Sequence, residues 1–293
     1  MKRQIFARFA SAAVLVSTLA TGVFAADETV PETVKTTDGR VLKLTWNDEF
    51  NGEGLPDSSK WSYEVGYIRN NEAQYYTDAR LENIFQKDGL LTIRTLKEDY
   101  DIKGKPNNKG REKAEYTSAA IETLGKASWQ YGRVEVRAKL PSGVGIWPAI
   151  WMMGDNILTA GYPECGEIDV MEYVGHTPHR AWGTIHMQRK DAPRDQVVSR
   201  GDSILLDKEG EEPEETFHVY ALEWTKDFLK IFVDDHLILD FQRSEEEAKT
   251  PEWPFDQKCY IKLNTALGGS WGGEVAEGTC PTDFQIDYVR VYQ

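Results

Sequence analysis

From Leu42 to the C-terminus the chain consists of short apolar stretches separated by turn residues, with almost no amphipathic helical period. Tyr131–Lys139 shows the pattern most clearly. Gly132, Val134, Val136 and Ala138 alternate with Arg133, Glu135, Arg137 and Lys139. Successive side chains of a strand point to opposite faces, so such a segment buries one face and wets the other. Comparable runs occupy Leu42–Trp46, Gly89–Thr95, Ala119–Thr123, Gly145–Met153, Cys165–Tyr173, Trp182–Gln188, His218–Trp224, Phe228–Val233, Tyr260–Thr265 and Phe284–Tyr292. Val233-Asp-Asp-His-Leu237 reads as a hairpin with a tight Asp-Asp turn. Only Ser244–Lys249 suggests a short helix. Many short antiparallel strands without helical crossovers predict an all-β sandwich of two large sheets. No repeat or linker interrupts it, so residues 41–293 read as one domain. Glu98–Glu112 and Lys190–Glu215 read as long loops, of the kind that often fence a site.

The first 40 residues stand apart. Lys2 and Arg3 precede an apolar stretch around Ala10–Ala20, and Val23-Phe24-Ala25 fits a small-residue cleavage site. Residues 1–25 are therefore expected to be a secretory signal peptide. The apolar run, broken by Ser11, Ser17 and Thr18, is short for a membrane span. The mature protein is expected to be secreted or periplasmic and monomeric, without membrane insertion. Residues 26–40 are polar and read as a flexible segment. Asp and Glu outnumber Lys and Arg 48 to 34, which argues against nucleic acid or anionic membranes as partners. Three cysteines leave at least one thiol free. Cys259 and Cys280 are the nearer pair in sequence, and three free thiols are the alternative. No His/Cys spacing suggests a zinc site.

Glu167-Ile-Asp-Val-Met-Glu172 carries the chemistry. Glu167 and Asp169 share a strand face, whereas Glu172 would point away in a regular strand. A β-bulge between Asp169 and Glu172 returns it to the same face, and bulges are frequent beside active sites. Three acids on one face cannot all ionise with ordinary pKa values. A two-carboxylate glycosidase uses that inequality, keeping one acid protonated and one ionised. The alternative is a solvated acidic strand. On the preceding strand Trp147, Ala149, Trp151 and Met153 share a face, as core or as a platform for sugar rings. On the following strand Trp182, Thr184 and His186 share a face. His186 could bond a sugar hydroxyl or a carboxylate, or be a core histidine.

These residues sit within a longer match. Trp46-Asn-Asp-Glu-Phe-Asn51, Asn71-Glu72-Ala-Gln-Tyr75-Tyr76-Thr77, Tyr131-Gly-Arg-Val-Glu-Val-Arg137, Gly145-Ile-Trp-Pro-Ala-Ile-Trp151, Glu164-Cys-Gly-Glu-Ile-Asp-Val-Met-Glu172, Asn264-Thr-Ala-Leu-Gly-Gly269 and Ile286-Asp-Tyr-Val-Arg-Val-Tyr292 occur in this order. The chain resembles laminarinase-type members of glycoside hydrolase family 16. The resemblance implies a concave jelly-roll sandwich with a substrate cleft along one sheet. It implies a retaining endo-β-1,3-glucanase, with some action on mixed β-1,3/1,4-glucan. Glu167 would be the nucleophile, Glu172 the acid and base, and Asp169 the group between them. Trp147 and Trp151 would line the glycone side. Asn71 and Glu72 would bond sugar hydroxyls, and Trp271 in its glycine-rich loop would stack a more distal ring. No catalytic cofactor is implied. A structural Ca²⁺ on the convex face would be held by Asp287, helped by Glu49 and the Gly89 carbonyl. The bulged motif is shared with galactan-degrading relatives of agarase or carrageenase type, so it does not select the substrate. Asn71-Glu72…Tyr75-Tyr76 and Gly268-Gly-Ser-Trp-Gly-Gly273 favour β-glucan. A non-catalytic glucan-binding protein is the rival class, and the presence of all three acids counts against it.

Overall fold

The computed structural model describes residues 29–188, 197–208, 210–243 and 253–293. The expected signal peptide and the expected helix at Ser244–Lys249 lie outside them. Among the described residues two β-sheets account for most of the chain. The larger contains β1 (Thr33–Lys35), β2 (Val41–Asp48), β4 (Gln74–Tyr76), β5 (Ile84–Lys87), β6 (Leu90–Asp101), β7 (Lys113–Ser118), β9 (Gly132–Lys139), β14 (His218–Trp224), β15 (Phe228–Val233), β16 (His236–Gln242) and β18 (Thr282–Tyr292). The smaller contains β3 (Ser62–Tyr63), β8 (Ala120–Glu122), β10 (Ile146–Gly154), β11 (Glu167–Tyr173), β12 (Arg180–Gln188), β13 (Val197–Leu205) and β17 (Cys259–Leu267). Its spatial order is β13-β12-β11-β10-β17-β8-β3. The larger sheet runs β16-β15-β14-β9-β18-β6-β7-β4, with β1, β2 and β5 joined at its sides. Pairing is antiparallel except between β4 and β7. Two four-residue helices, α1 (Ile157–Ala160) and α2 (Gly269–Gly272), occupy connections. No helix among the described residues is long and apolar enough to cross a membrane.

Alternation in sequence becomes a core between sheets. Val134, Val136 and Ala138 of β9 face inward, and so do Tyr220, Leu222 and Trp224 of β14. From the smaller sheet Ile150 and Met152 of β10, Ile168 of β11, Ile185 and Met187 of β12, and Ile261 and Leu263 of β17 meet them. These side chains are 0–4 % exposed. Truncating any one of the large residues to alanine costs about 2–5 kcal/mol, because the packed neighbours cannot close the hole. The opposite face of the smaller sheet is left free to build a site. The two-sheet jelly roll expected from the sequence is thus present.

Several expectations are revised. Thr33–Lys35 forms a strand on β2, and the Thr37 N–H donates to the buried Glu223 carboxylate at 3.0 and 3.1 Å. That part of the 26–40 segment is therefore fixed to the sheet. Residues 98–101 prolong β6, and the 190–215 stretch contains β13, which pairs along all nine residues of β12. The three cysteines are free thiols, so Cys259 and Cys280 do not pair. Cys259 lies near Cys165 and Asp155, whereas Cys280 lies near Lys97 and Tyr116.

Candidate active site

The acidic strand is bulged. Against β12, Asp169 pairs with Thr184 and Glu172 with Trp182, so three steps on β11 match two on β12. Against β10, Met171 pairs with Ile150 and Asp169 with Trp151, which leaves Val170 without an opposite residue. Val170 and Met171 both enter the core at 0 % exposure, as do Ile168 before them and, at 1 %, Tyr173 after. The order of faces is out, in, out, in, in, out, in. Glu167, Asp169 and Glu172 consequently meet on the free face. Opposite the bulge stands Gly183, where an added Cβ would lie 2.8 Å from Ile231. Only glycine leaves room there for the packing beneath the bulge.

The three acids differ in surroundings. Asp169 is buried, and burial drives its carboxyl well above the ordinary aspartate range, with the Glu167 charge and a hydrogen bond to Glu167 adding to the shift. Glu172 is pushed up chiefly by burial and then by the Asp169 charge. Its Oε1 accepts a 3.1 Å hydrogen bond from the Trp147 indole N–H, which with His186 pulls partly the other way. The net effect is upward, the direction that a leaving-group acid needs. His186 Nε2 lies 3.1 Å from Asp169 Oδ2, and its Nδ1 lies 2.7 Å from Ser199 Oγ. Tyr162 lies in the cleft lining with Glu167, and burial together with the Glu167 charge raises its phenol pKa.

A cleft of about 580 Å³ opens over these groups, walled by Arg69, Asn70, Trp147, Trp151, Trp182, Trp271 and His186 among others. Trp271 lies edge-on to both Trp147, at 5.5 Å between centroids, and Trp182, at 5.8 Å. The loop carrying Trp271 can approach because Gly269 has φ +75° and a Cβ there would meet the Asn70 carbonyl oxygen at 2.9 Å. Ser270 N–H donates to that same carbonyl at 2.9 Å.

The two tryptophans of β10 are not equivalent. Trp147 is half-buried in the cleft wall, whereas Trp151 is 5 % exposed. The Arg69 guanidinium carbon lies 5.0 Å, and Lys262 Nζ 4.6 Å, from the Trp151 ring centroid. Its indole N–H donates to Asn264 Oδ1 at 2.7 Å. Asn264 donates in turn to Tyr76 OH at 3.1 Å, and Tyr76 to Glu72. Trp151 thus lines the cleft as expected, although it is mostly covered by protein. Glu72 is buried, accepting from Gln74 Nε2 at 2.7 Å and Asn70 Nδ2 at 3.3 Å. It lines a narrow extension of the cleft floor. Asn71 is exposed at the corner of a turn in which Asn70 and Asn71 both have φ +52°, and Asn70 faces the cleft instead. Arg69, Asn70, Tyr162, Trp182 and Asn264 thus join the site, although the sequence reading did not single them out as site residues. Of these, Trp182 carried a signal in its shared face with His186, and Asn264 in the motif that it opens.

The expected calcium ligands do not form an anionic cage. Glu49 accepts from Arg290 Nε and Nη2 at 3.0 and 2.7 Å, and Asp287 accepts from Arg137 Nη1 at 2.5 Å. Each charge is already met by a guanidinium, so this donor set does not fit Ca²⁺ as arranged.

Comparison with known proteins agrees with this geometry. Residues 70–290 match the family described as Glycosyl hydrolases family 16. The chain is 44 % identical over 260 residues to a beta-glucanase of Rhodothermus marinus, covering 86 % of this chain and 85 % of that protein. It is 37 % identical to glucan endo-1,3-beta-glucosidase A1 of Niallia circulans, over 86 % of this chain and 38 % of that protein. The crystal structure of a point mutant of SCLam, a non-specific endo-beta-1,3(4)-glucanase holding 1,3-beta-D-cellobiosyl-glucose at its active site, superposes with a TM-score of 0.76. Identity there is 40 %, over 90 % of this chain and 98 % of that one. By its acidic strand, its two sheets and this similarity along most of its length, the chain belongs to glycoside hydrolase family 16.

Proposed function

We propose that the protein is a retaining endo-β-1,3-glucanase of laminarinase type that also cuts mixed β-1,3/1,4-glucan. The observation that carries the reading is the bulged strand, which gathers Glu167, Asp169 and Glu172 beneath an aromatic cleft. The substrate class rests on the glucanases among its relatives, and the mixed-linkage part on the non-specific glucanase above. In the first step a Glu167 carboxylate oxygen attacks the anomeric carbon. The glycosidic C–O bond breaks, and Glu172 gives its proton to the departing oxygen. In the second step Glu172 takes a proton from water, the water oxygen bonds to the anomeric carbon, and the ester to Glu167 breaks. Asp169 holds Glu167 in place and, through its charge state, governs when Glu172 releases its proton.

Trp147 and Trp271 offer ring faces and edges to the sugars, and Arg69 and Asn70 offer donors beside them. His186 stands next to Asp169 at the other side of the cleft. No cofactor enters either step. Residues 1–25 direct export, so hydrolysis takes place outside the cytoplasm; a mature N-terminus after Ala25 in the exported protein checks this. The experiment for the activity is a panel of laminarin, mixed-linkage glucan, agarose and carrageenan, with products resolved by chain length. Internal cleavage of the first two is expected. Cleavage of the galactans alone overturns the substrate class, and binding of glucan without any cleavage overturns the enzyme.

A further inference from the structure

Asp169, Glu172 and His186 each present a ligand atom within 4.8 Å of the other two. Asp169 is 3 % exposed, and its Oδ2 has no hydrogen-bond partner. A buried carboxyl oxygen without a hydrogen bond is costly, and a proton or a metal cation offsets that cost. His186 Nε2 stands 3.1 Å from this oxygen without the alignment of a hydrogen bond. The far side of the ring is held by Ser199 Oγ at 2.7 Å from Nδ1. This is the outer contact that orients a metal-binding imidazole. Trp147 holds Oε1 of Glu172, so Oε2 is the oxygen left for a ligand.

We infer that Asp169, Glu172 and His186 form a binding site for a divalent transition cation of the zinc type, and that the ion inhibits hydrolysis reversibly. One imidazole nitrogen and two carboxylate oxygens, with the fourth position open to the cleft, suit Zn²⁺. Calcium and magnesium prefer all-oxygen sets and are poorly served by the histidine. A carboxylate that coordinates a metal cannot carry the proton that the leaving group needs. Inhibition follows from that and rests on the role proposed for Glu172; binding itself does not.

The test is isothermal calorimetry of the untagged protein with zinc chloride in a non-coordinating buffer. One site is expected, with no comparable heat from calcium. Ser199→Ala should weaken it by about 10–100-fold, the usual effect of losing an orienting contact. His186→Gln should weaken it further. Thermal unfolding shows whether each variant is folded, and Ser199→Ala carries the test if His186→Gln is not. Laminarin hydrolysis should fall as the site fills and return on chelation. No zinc binding by the wild type overturns the proposal, and so does equal binding by the folded variants, which would place the ion elsewhere. Binding that depends on His186 but leaves hydrolysis untouched overturns the inhibitory part. Absence of hydrolysis before zinc is added is a different failure, that of the glucanase reading.

Discussion

Replacing Lys262 with methionine isolates the ion cluster beneath Trp151. Lys262 is 4 % exposed, and its ammonium lies 2.7 Å from Glu64 Oε1 and 3.0 Å from Glu122 Oε2. Methionine keeps much of the side-chain volume and removes the charge. Glu64 retains Arg69, but Glu122 keeps no other ion pair among the described residues. Removing one partner of a buried pair costs about 3–5 kcal/mol. The Glu64 and Glu122 side chains remain 15 % and 13 % exposed, so water relieves part of the penalty. The lower end, about 3 kcal/mol, is therefore expected. For a domain of this size that is a fall in Tm of about 6–12 °C. The pH dependence has a definite sign. Burial raises the Glu64 carboxyl, but the Arg69 and Lys262 charges outweigh it and hold it below the ordinary glutamate range. Its stabilising contribution is present above the unfolded pKa and is lost as pH falls through the lowered folded value. In the variant part of that contribution is missing from the start. The gap between wild type and variant should therefore narrow as the carboxylates protonate. Urea unfolding followed by tryptophan fluorescence at about pH 7 and about pH 4 measures both. Trp151 and Arg69 also lose their brace, so KM for laminarin should rise more than kcat falls. A loss below about 1 kcal/mol at neutral pH, or a gap that widens on acidification, would refute the reasoning.

Three further outcomes follow from the site. Glu172→Gln should be inactive yet more thermostable than the wild type at alkaline pH. The raised Glu172 pKa means its stability contribution is full below the unfolded pKa and lost as pH rises through the folded value, a loss glutamine avoids; melting curves across pH show whether the difference vanishes in acid. Asn70→Ala should raise KM for laminarin about tenfold or more, at about 1.4 kcal/mol per decade, whereas the exposed Asn71→Ala should change it little; equal effects would reverse the placement of the turn. Deleting Met171 produces the unbulged spacing with Tyr173 still inward, but it removes a side chain buried in the core and straightens the bend that the bulge puts into β11 just before Tyr173. Tyr173 donates to Glu214 at 2.5 Å, so activity should fall strongly and Tm should drop; wild-type Tm and turnover in the deletion would show the bulge to be dispensable.

The strands with regular alternation and a buried face were legible because burial writes itself into the sequence with a period of two. β14 and β15 match their expected ranges, and the Val233–His236 hairpin pairs as read. The strands that escaped notice lack that signature. β13, Val-Val-Ser-Arg-Gly-Asp-Ser-Ile-Leu, is an edge strand with no fully buried residue, so no alternation was selected. β4 is three residues long and buried throughout. The bulge was legible because three acids needed one face. The cover over Trp151 was not, since it comes from Arg69 and Lys262, far from it in sequence. Alternation assigns a face and says nothing of what lies above it. Asn70 escaped because two successive left-handed residues turn the chain, so the residue facing the cleft is one earlier than expected.

The central claim is that Glu167 attacks the sugar while Glu172 supplies the proton. Incubating the enzyme with an activated 2-deoxy-2-fluoro-β-laminaribioside and mapping the adduct by peptide mass spectrometry tests it most directly. The fluorine slows both steps and the activated leaving group restores the first, so the glycosyl-enzyme accumulates. The account predicts one added disaccharide on the peptide containing Glu167, esterified at that side chain, with activity recovering on addition of an acceptor sugar. A folded, laminarin-cleaving enzyme that forms no adduct and releases the inverted anomer, or an adduct on Glu172 instead, would contradict it.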